Sequence, residues 1–391
     1  MGKYIPNLLS ITLLLVLSCV SQNQPENDPP YFLGLEHLFT PPKNYVVYKS
    51  FSSMEMDGSL TEESWKQAQW TDEFVDIEGS LKPVPYLSTR VKMLWDEEYL
   101  YFGAELKDPH VWATLKSHDD IIFMDNDFEI FIDVPNDGGK SDIRFSDHDM
   151  HRYYEFEMNA WNTTWDLFLD KPYRNGGRAV SLWEIKGLQT GVHVQGTIND
   201  PSDTDVGWTL EVAIPFSTIQ LAGHPKYFPE EGAQYRINFS RVQYDTKIED
   251  NHYTKAKDSL GQELPCYNWV WSPQGVINMH YPERWGYLQF SKEKAGSAFV
   301  PFVHYYSETQ KKYLWLIYYR QKEWSRLHDQ YINNLSALGI KNAHVNIEGK
   351  KNIITMEATS HQFKIFIQAE GDETVWSVNQ DGQVTQSKRI P

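Results

Sequence analysis

The chain has 391 residues, with 36 Lys and Arg against 53 Asp and Glu and a formal net charge of −17. Apolar residues at 41% and charged residues at 23% exclude a disordered chain, and the acidic balance excludes a body built to bind nucleic acid, whose phosphates need a basic surface. Trp 14, Tyr 23 and Phe 19 make up 14% of the chain, so either the core is unusually aromatic or flat rings remain for a ligand such as a sugar.

Lys3, an apolar run from Leu8 to Leu17, then Ser18 and Cys19 read as an export signal. The run is too short to span a bilayer, which takes about 20 apolar residues. Val16-Leu17-Ser18-Cys19 resembles the bacterial lipobox, whose cysteine becomes the acylated first residue of the mature chain. That resemblance implies a signal over 1–18, lipid on Cys19, and an exported protein held at the cell envelope, in the outer membrane, by its lipid alone. Residues 20–31 are polar and proline-bearing, so 19–45 reads as a lipidated tether. Cys266 is the only other cysteine, and with Cys19 lipidated no disulfide framework holds the fold.

From about Tyr45 to Phe290, short alternating segments separated by Asp, Asn, Gly and Pro clusters predict an all-β domain. The clearest predicted strands are Thr89–Trp95, Leu100–Leu106, Phe128–Asp133, Tyr153–Asn159, Val192–Ile198, Trp208–Ile214 and Tyr235–Val242. Glu62–Ala68 is a short helical turn, and Pro215 closes the Trp208 strand because it cannot donate to a ladder. Residues 46–291 are expected to form a mainly β domain, an antiparallel β-sandwich of the immunoglobulin or jelly-roll kind. After Ser291 the pattern changes. Ser307 and Gln310 stand at capping-box spacing, and Trp324, Leu327, Tyr331, Leu335 and Leu338 recur at helical intervals up to Gly339. Asn352–Ala358, Gln362–Gln368 and Thr374–Asn379 look like strands, with Gln380-Asp381-Gly382 as a turn. Residues 292–391 therefore read as a small C-terminal α+β extension, docked or independent.

Period-two alternation separates the faces of each strand. Phe128, Ile130 and Ile132 oppose Glu129, while Tyr154, Phe156 and Met158 oppose Glu155, Glu157 and Asn159. Arg90 and Lys92 oppose Val91 and Met93, and Glu211 opposes Leu210 and Val212. A solvated sheet face accounts for many such charges. The gathering of Glu, Asn, Arg and Tyr, with Trp161 in the same parity, also suits a surface that hydrogen-bonds sugar hydroxyls while an indole stacks on the ring. Asp119, Asp120, Asp125 and Asp127 form a local acidic cluster of the oxygen-ligand type that calcium takes, without the spacing of an EF-hand loop. His148 and His151 flank Asp149.

Asp57-Gly58-Ser59-Leu60, followed by Trp65 and Ala68, resembles the opening D-G-x-L…W…A of carbohydrate-binding module family 9-like domains, a group related to the DOMON sandwiches. Further pieces agree in order. Arg90-Val91-Lys92 with Leu94-Trp95-Asp96 and Tyr99-Leu100-Tyr101 is similar to the family's next two strands, and Asp125-Asn126-Asp127 with Glu129 to Asp133 is similar to its D-x-x-E-I-F-I-D strand. Tyr153 to Asn159 is similar to the strand after that, and Trp208 to Pro215 to W-x-x-E-x-A-I-P. Arg236 to Arg241 resembles R-x-N-x-x-R, and Trp271-Ser272-Pro273 with Glu283-Arg284-Trp285-Gly286 resembles the closing segment. Each motif is weak alone; their shared order over roughly 46–290 is the signal.

This resemblance implies a noncatalytic β-sandwich that binds oligo- or polysaccharide by aromatic sandwiching and a polar network, with no cofactor beyond the structural calcium that some members carry. Carried onto this sequence, the network falls on Arg90, Glu129, Glu157, Asn159 and Arg241, with Trp161, Trp165 and Trp271 as platforms. Trp65, Trp208 and Trp285 sit in the fold-defining motifs and are expected in the core. Two other readings stay open. A glycoside hydrolase or lyase would use paired carboxylates, Glu155 with Glu157 or Glu129 with Glu157. An envelope interaction protein would need no sugar.

Overall fold

The computed structural model describes residues 30–135, 149–219 and 229–388. The signal, Cys19, most of the tether and His148 lie outside them. β1 (Asn44–Lys49) leads to the short helix α1 (Glu63–Gln67), then β2 (Val75–Asp76), β3 (Thr89–Trp95), β4 (Tyr99–Lys107), β5 (Asp127–Asp133), β6 (Tyr153–Asn159) and β7 (Thr164–Leu169). β8 (Ala179–Val180), β9 (Gln189–Gln195), β10 (Gly207–Pro215) and β11 (Gln234–Gln243) follow. The hairpin β12 (Thr246–Glu249) and β13 (His252–Lys255) precedes β14 (Tyr267–Val270) and β15 (Gly286–Lys294).

Hydrogen bonding runs in the order β8-β7-β6-β5-β11-β15-β1-β3-β4-β10-β9, with β14 on β11 and β2 on β14. Pairs are antiparallel except those of β1, which runs parallel to both β15 and β3. The apolar parity of β5, β6 and β11 meets that of β3, β4 and β10 in one buried cluster, so this sheet folds over into two layers. The first layer is centred on β7, β6, β5 and β11, and the second on β3, β4, β10 and β9. Trp208 is inside that cluster, and Trp65 and Trp285 are fully buried on the outer sides of the two layers. The expected antiparallel sandwich is what the chain forms.

The family-like motifs on the second layer make one lock. Glu211 on the outer face of β10 accepts from Trp65 Nε1 at 2.6 Å, Gly58 N at 2.7 Å and Asp57 N at 3.1 Å. Gly58 has φ +85°, and a Cβ there would lie 2.5 Å from His193 N, so only glycine fits. Gly103, opposite Glu211, leaves the space filled by Leu60 and Trp65.

Strand β9 starts and ends three residues earlier than the alternation predicted. After Gly196, Asp205 Oδ1 takes the Thr197 N–H and Asn199 Oδ1 takes the Ala113 N–H, which peels the chain away from β10.

In the C-terminal part, helix α2 (Tyr306–His328) packs on a five-stranded antiparallel sheet of β16 (His344–Ile347), β17 (Lys350–Ala358), β18 (Phe363–Ala369), β19 (Thr374–Asn379) and β20 (Val384–Lys388). The extension is docked. Glu308 of α2 pairs with Arg236 of β11 at 3.1 Å and accepts from Tyr287 of β15 at 2.8 Å, while Glu283 pairs with Arg174 at 2.8 Å and accepts from Tyr319. Phe32, Leu38 and Phe39 join its core. The helix ends ten residues before Leu338: Asp329 takes the left-handed conformation at φ 58°, and the chain turns back so that Tyr331 N bonds Ser360 O. The predicted helical face therefore splits, leaving Leu327 exposed. The capping box does not form either. Tyr305 stands at the cap and its side chain caps no backbone N–H, and Gln310 Nε2 donates to Asn352 Oδ1 at 2.9 Å.

Candidate functional site

Cross-strand register on the outer face of the first layer lines up four side chains. Ser240 on β11 lies opposite Glu129 on β5, Glu129 opposite Glu157 on β6, and Glu157 opposite Trp165 on β7. With neighbouring strands about 4.8 Å apart, hydroxyl, carboxylate, carboxylate and indole form a row about 14 Å long. In the next row Glu155 stands between Phe131 and Leu167. Ile77, Tyr153, Val270, Met279 and Trp285 extend that floor as a small apolar cluster.

The rim is aromatic. The single turn Ile122–Met124 presents an exposed Phe123, whose N–H donates to Glu157 Oε2 at 2.9 Å and whose ring centre is 6.3 Å from that of Trp165. On the other lip an exposed Tyr173 packs edge-on against His280 at 4.4 Å, and Tyr153 Oη lies 2.8 Å from His280 Nδ1. Burial, helped by the Arg174 charge, holds His280 down to about 4, so the ring is neutral at physiological pH.

One oxygen each of Asp127, Glu129 and Glu157 lies within 4.8 Å of the other two. Burial, and then their mutual repulsion, raises Asp127, Glu155 and Glu157 well above the ordinary carboxylate range. Burial pushes Glu129 up to about 7, against the neighbouring Ser240 hydroxyl. Asp127 Oδ2 and Glu155 Oε2 have no hydrogen-bond partner. A protonated carboxyl both donates and accepts, which is the pairing that a sugar hydroxyl needs.

The other residues expected in the network lie elsewhere. Trp271 is 1% exposed within the inter-layer core, where a Cβ on Gly286 would strike its ring, so it is not a platform. Arg241 points between the layers, pairing with Asp108 at 3.3 Å and donating to Gln243, Thr89 and Lys107 O, rather than neutralising Glu129 or Glu157. Arg90 is on the outer face of the second layer, paired with Glu105 at 3.0 Å and stacked 4.3 Å from the Trp70 ring centre. Asn159 shares the parity of Glu157, but both ends of its amide are used: Nδ2 donates to Leu115 O and Asp125, and Oδ1 accepts from Trp161 N and Thr163 N. Trp161 is half-exposed at the β6–β7 turn, its indole N–H bonded to Ala113 O and Lys116 over its ring at 4.0 Å.

Glu129, Glu157 and Trp165 are thus the three that the fold brings together. Ser240, Phe123 and Tyr173 were missed, although the alternation that singles out Glu129 also turns Asn238 and Ser240 outward on β11.

The four aspartates do not converge into a calcium cage. Asp125 is used by Thr114 and Leu115, Asp120 by Ser117 N, and Asp127 by Val242 N through one oxygen. His151 Nε2 donates to Asp381 O, 2.9 Å away, and Asp149 pairs with Arg152.

A two-layer sandwich with a polar, ring-edged row on one outer face has the make-up of a binding module. The family described as "Carbohydrate family 9 binding domain-like" matches residues 56–269, and the chain belongs to that family. Among solved structures, a family 9 carbohydrate-binding module from Caldicellulosiruptor kristjanssonii is similar at 17% identity with cellotriose bound and 16% with glucose bound. Each of these has a TM-score of 0.39 and covers 66% of this chain and 100% of that one. A candidate carbohydrate-binding protein from Bacteroides uniformis is similar at 17% identity and TM-score 0.44, over 64% of this chain and 100% of its own. None of the curated proteins matches the chain.

Proposed function

We propose that the chain binds saccharide without cleaving it, on the outer face of the first layer, through Ser240, Glu129, Glu157 and Trp165 with Phe123 and Tyr173 at the rim. The observation that carries this reading is the cross-strand row, in which two carboxyls stand beside an indole, flanked by Asp127 and Glu155, each with one oxygen that lacks a hydrogen-bond partner. An acid–base pair for hydrolysis would need two carboxyls whose environments push their pKa values apart. Here Asp127, Glu129, Glu155 and Glu157 are all pushed upward together, which favours hydrogen bonding over catalysis. The proposal places the protein at the bacterial cell envelope, exported and anchored through lipid on Cys19, on the strength of Val16-Leu17-Ser18-Cys19.

The test is a glycan array with the full chain, followed by calorimetry on any oligosaccharide retained, with assay for released reducing ends. Retention of a glycan that Trp165→Ala and Glu157→Gln each weaken supports the proposal. Unchanged affinity in both variants, or new reducing ends, overturns it.

A further inference from the structure

On the other side of β7 from Trp165 lies a second group of ligand-type side chains. The segment 117–120 brings His118 and Asp119 against Asp166 of β7, and Glu184 closes over them from the solvent side. One ligand atom each of His118, Asp119 and Asp166 lies within 4.8 Å of the other two. His118 Nδ1 is 3.0 Å from Thr164 O, a pure acceptor, which assigns the ring proton to Nδ1. Nε2 is left facing Glu184 Oε1 at 3.2 Å and Asp119 Oδ1 at 3.5 Å. An imidazole whose far nitrogen is fixed by a backbone carbonyl is the usual arrangement of a metal-binding histidine.

The second observation is independent of the clustering. Asp166 is 1% exposed; its Oδ2 takes the Ile185 N–H, and its Oδ1 has no hydrogen-bond partner. The buried Oδ1 of Asp119 has none either. Leaving a buried polar atom unmatched costs about 1–3 kcal/mol. A cation seated between these oxygens and Nε2 would satisfy all three atoms at once. Protonation of His118 is the competing arrangement. Burial opposes it, but the Glu184, Asp119 and Asp166 charges outweigh burial and raise the pKa of the ring.

We propose that His118, Asp119 and Asp166, completed by Glu184, form a site for one divalent transition-metal ion of the zinc class. One imidazole with carboxylate oxygens suits such an ion, whereas calcium takes six to eight oxygens. The ion would bolt the segment that leads to Phe123 onto β7, and so hold the rim of the saccharide row from behind.

The experiment uses the full chain, stripped of metal by a chelator and titrated with zinc chloride in a calorimeter, with cobalt(II) as the spectroscopic probe. Uptake of one equivalent of zinc and a visible cobalt band are expected, with His118→Ala and Asp166→Asn each weakening zinc at least tenfold. Zinc should raise the melting temperature of the unaltered protein and not that of His118→Ala, whose half-exposed side chain is not needed for folding. Glu129→Gln should bind zinc as the unaltered chain does. No zinc uptake, equal uptake by the unaltered chain and His118→Ala, or loss of zinc in Glu129→Gln alone would each overturn the proposal.

Discussion

The two outer faces of the sandwich look alike as alternation patterns and differ in how their polar groups are used. On the second layer the row Lys92, Gly103, Glu211, Gly191 is closed: the carboxylate has three donors, Lys92 Nζ donates to Trp65 O at 2.6 Å, and the glycines admit the 56–65 segment. On the first layer the row Ser240, Glu129, Glu157, Trp165 has carboxyls stacked against each other, and the adjoining Asp127 and Glu155 each keep an oxygen without a donor. One face spends its polar groups on the fold and the other keeps them for something else. Motif strength does not separate them, since both rows lie within family-defining strands.

Four substitutions test that contrast, the largest expected effect first. Trp65→Ala, removing a fully buried indole together with its bond to Glu211, should cost about 3–5 kcal/mol of stability, read from the denaturant midpoint. A loss under about 1 kcal/mol would show that the second-layer lock is not structural. Trp165→Ala should weaken saccharide binding about tenfold, or about 1.4 kcal/mol, with a much smaller midpoint shift than Trp65→Ala. Calorimetry on both variants decides it.

The third is a matter of pH. Glu129 is raised in the fold to about 7 from an ordinary value near 4.5, so the folded chain holds that proton more tightly than the unfolded one. Its contribution is full below about 4.5 and is lost as pH rises towards 7. Melting temperature should therefore fall between pH 5 and 7.5, and Glu129→Gln should flatten part of that slope; an equal slope in the variant would mean that the cluster is already ionised. Smallest is Arg90→Ala, which should leave saccharide affinity unchanged and cost under about 1 kcal/mol, because its partner Glu105 is near solvent. A tenfold loss of binding there would move the site to the second layer.

Strand identity was legible in the sequence because burial in a sandwich follows the period of two. The bounds of β3, β6 and β19 coincide with the alternation, and Glu129, Glu155 and Glu157 do face away from the inter-layer core, although all three are buried. Alternation cannot tell on which of two layers an outward residue sits, and so Arg90 and Glu129 were joined although the whole sandwich separates them. Nor can it tell whether an outward group is already spent, as Asn159 is by Leu115, Asp125, Trp161 and Thr163. Arg241 and Trp271 failed for a third reason. Arg241 shares the parity of Ile237 and Phe239 and so faces between the layers by the very alternation that the family motif overrode, and Trp271, just beyond β14, packs in that same core. In the C-terminal part the helical spacing continued beyond His328, but the left-handed Asp329 ended the helix.

β1 sits between β15 and β3, with Asn44 opposite Tyr287. An early segment is thereby locked by one of the last strands of the sandwich to be synthesised. Such distant pairing makes loop closure entropically demanding and folding slow. Until Lys294 has left the ribosome, β1 cannot pair with β15, so the link between the two layers forms only once the whole sandwich has been made.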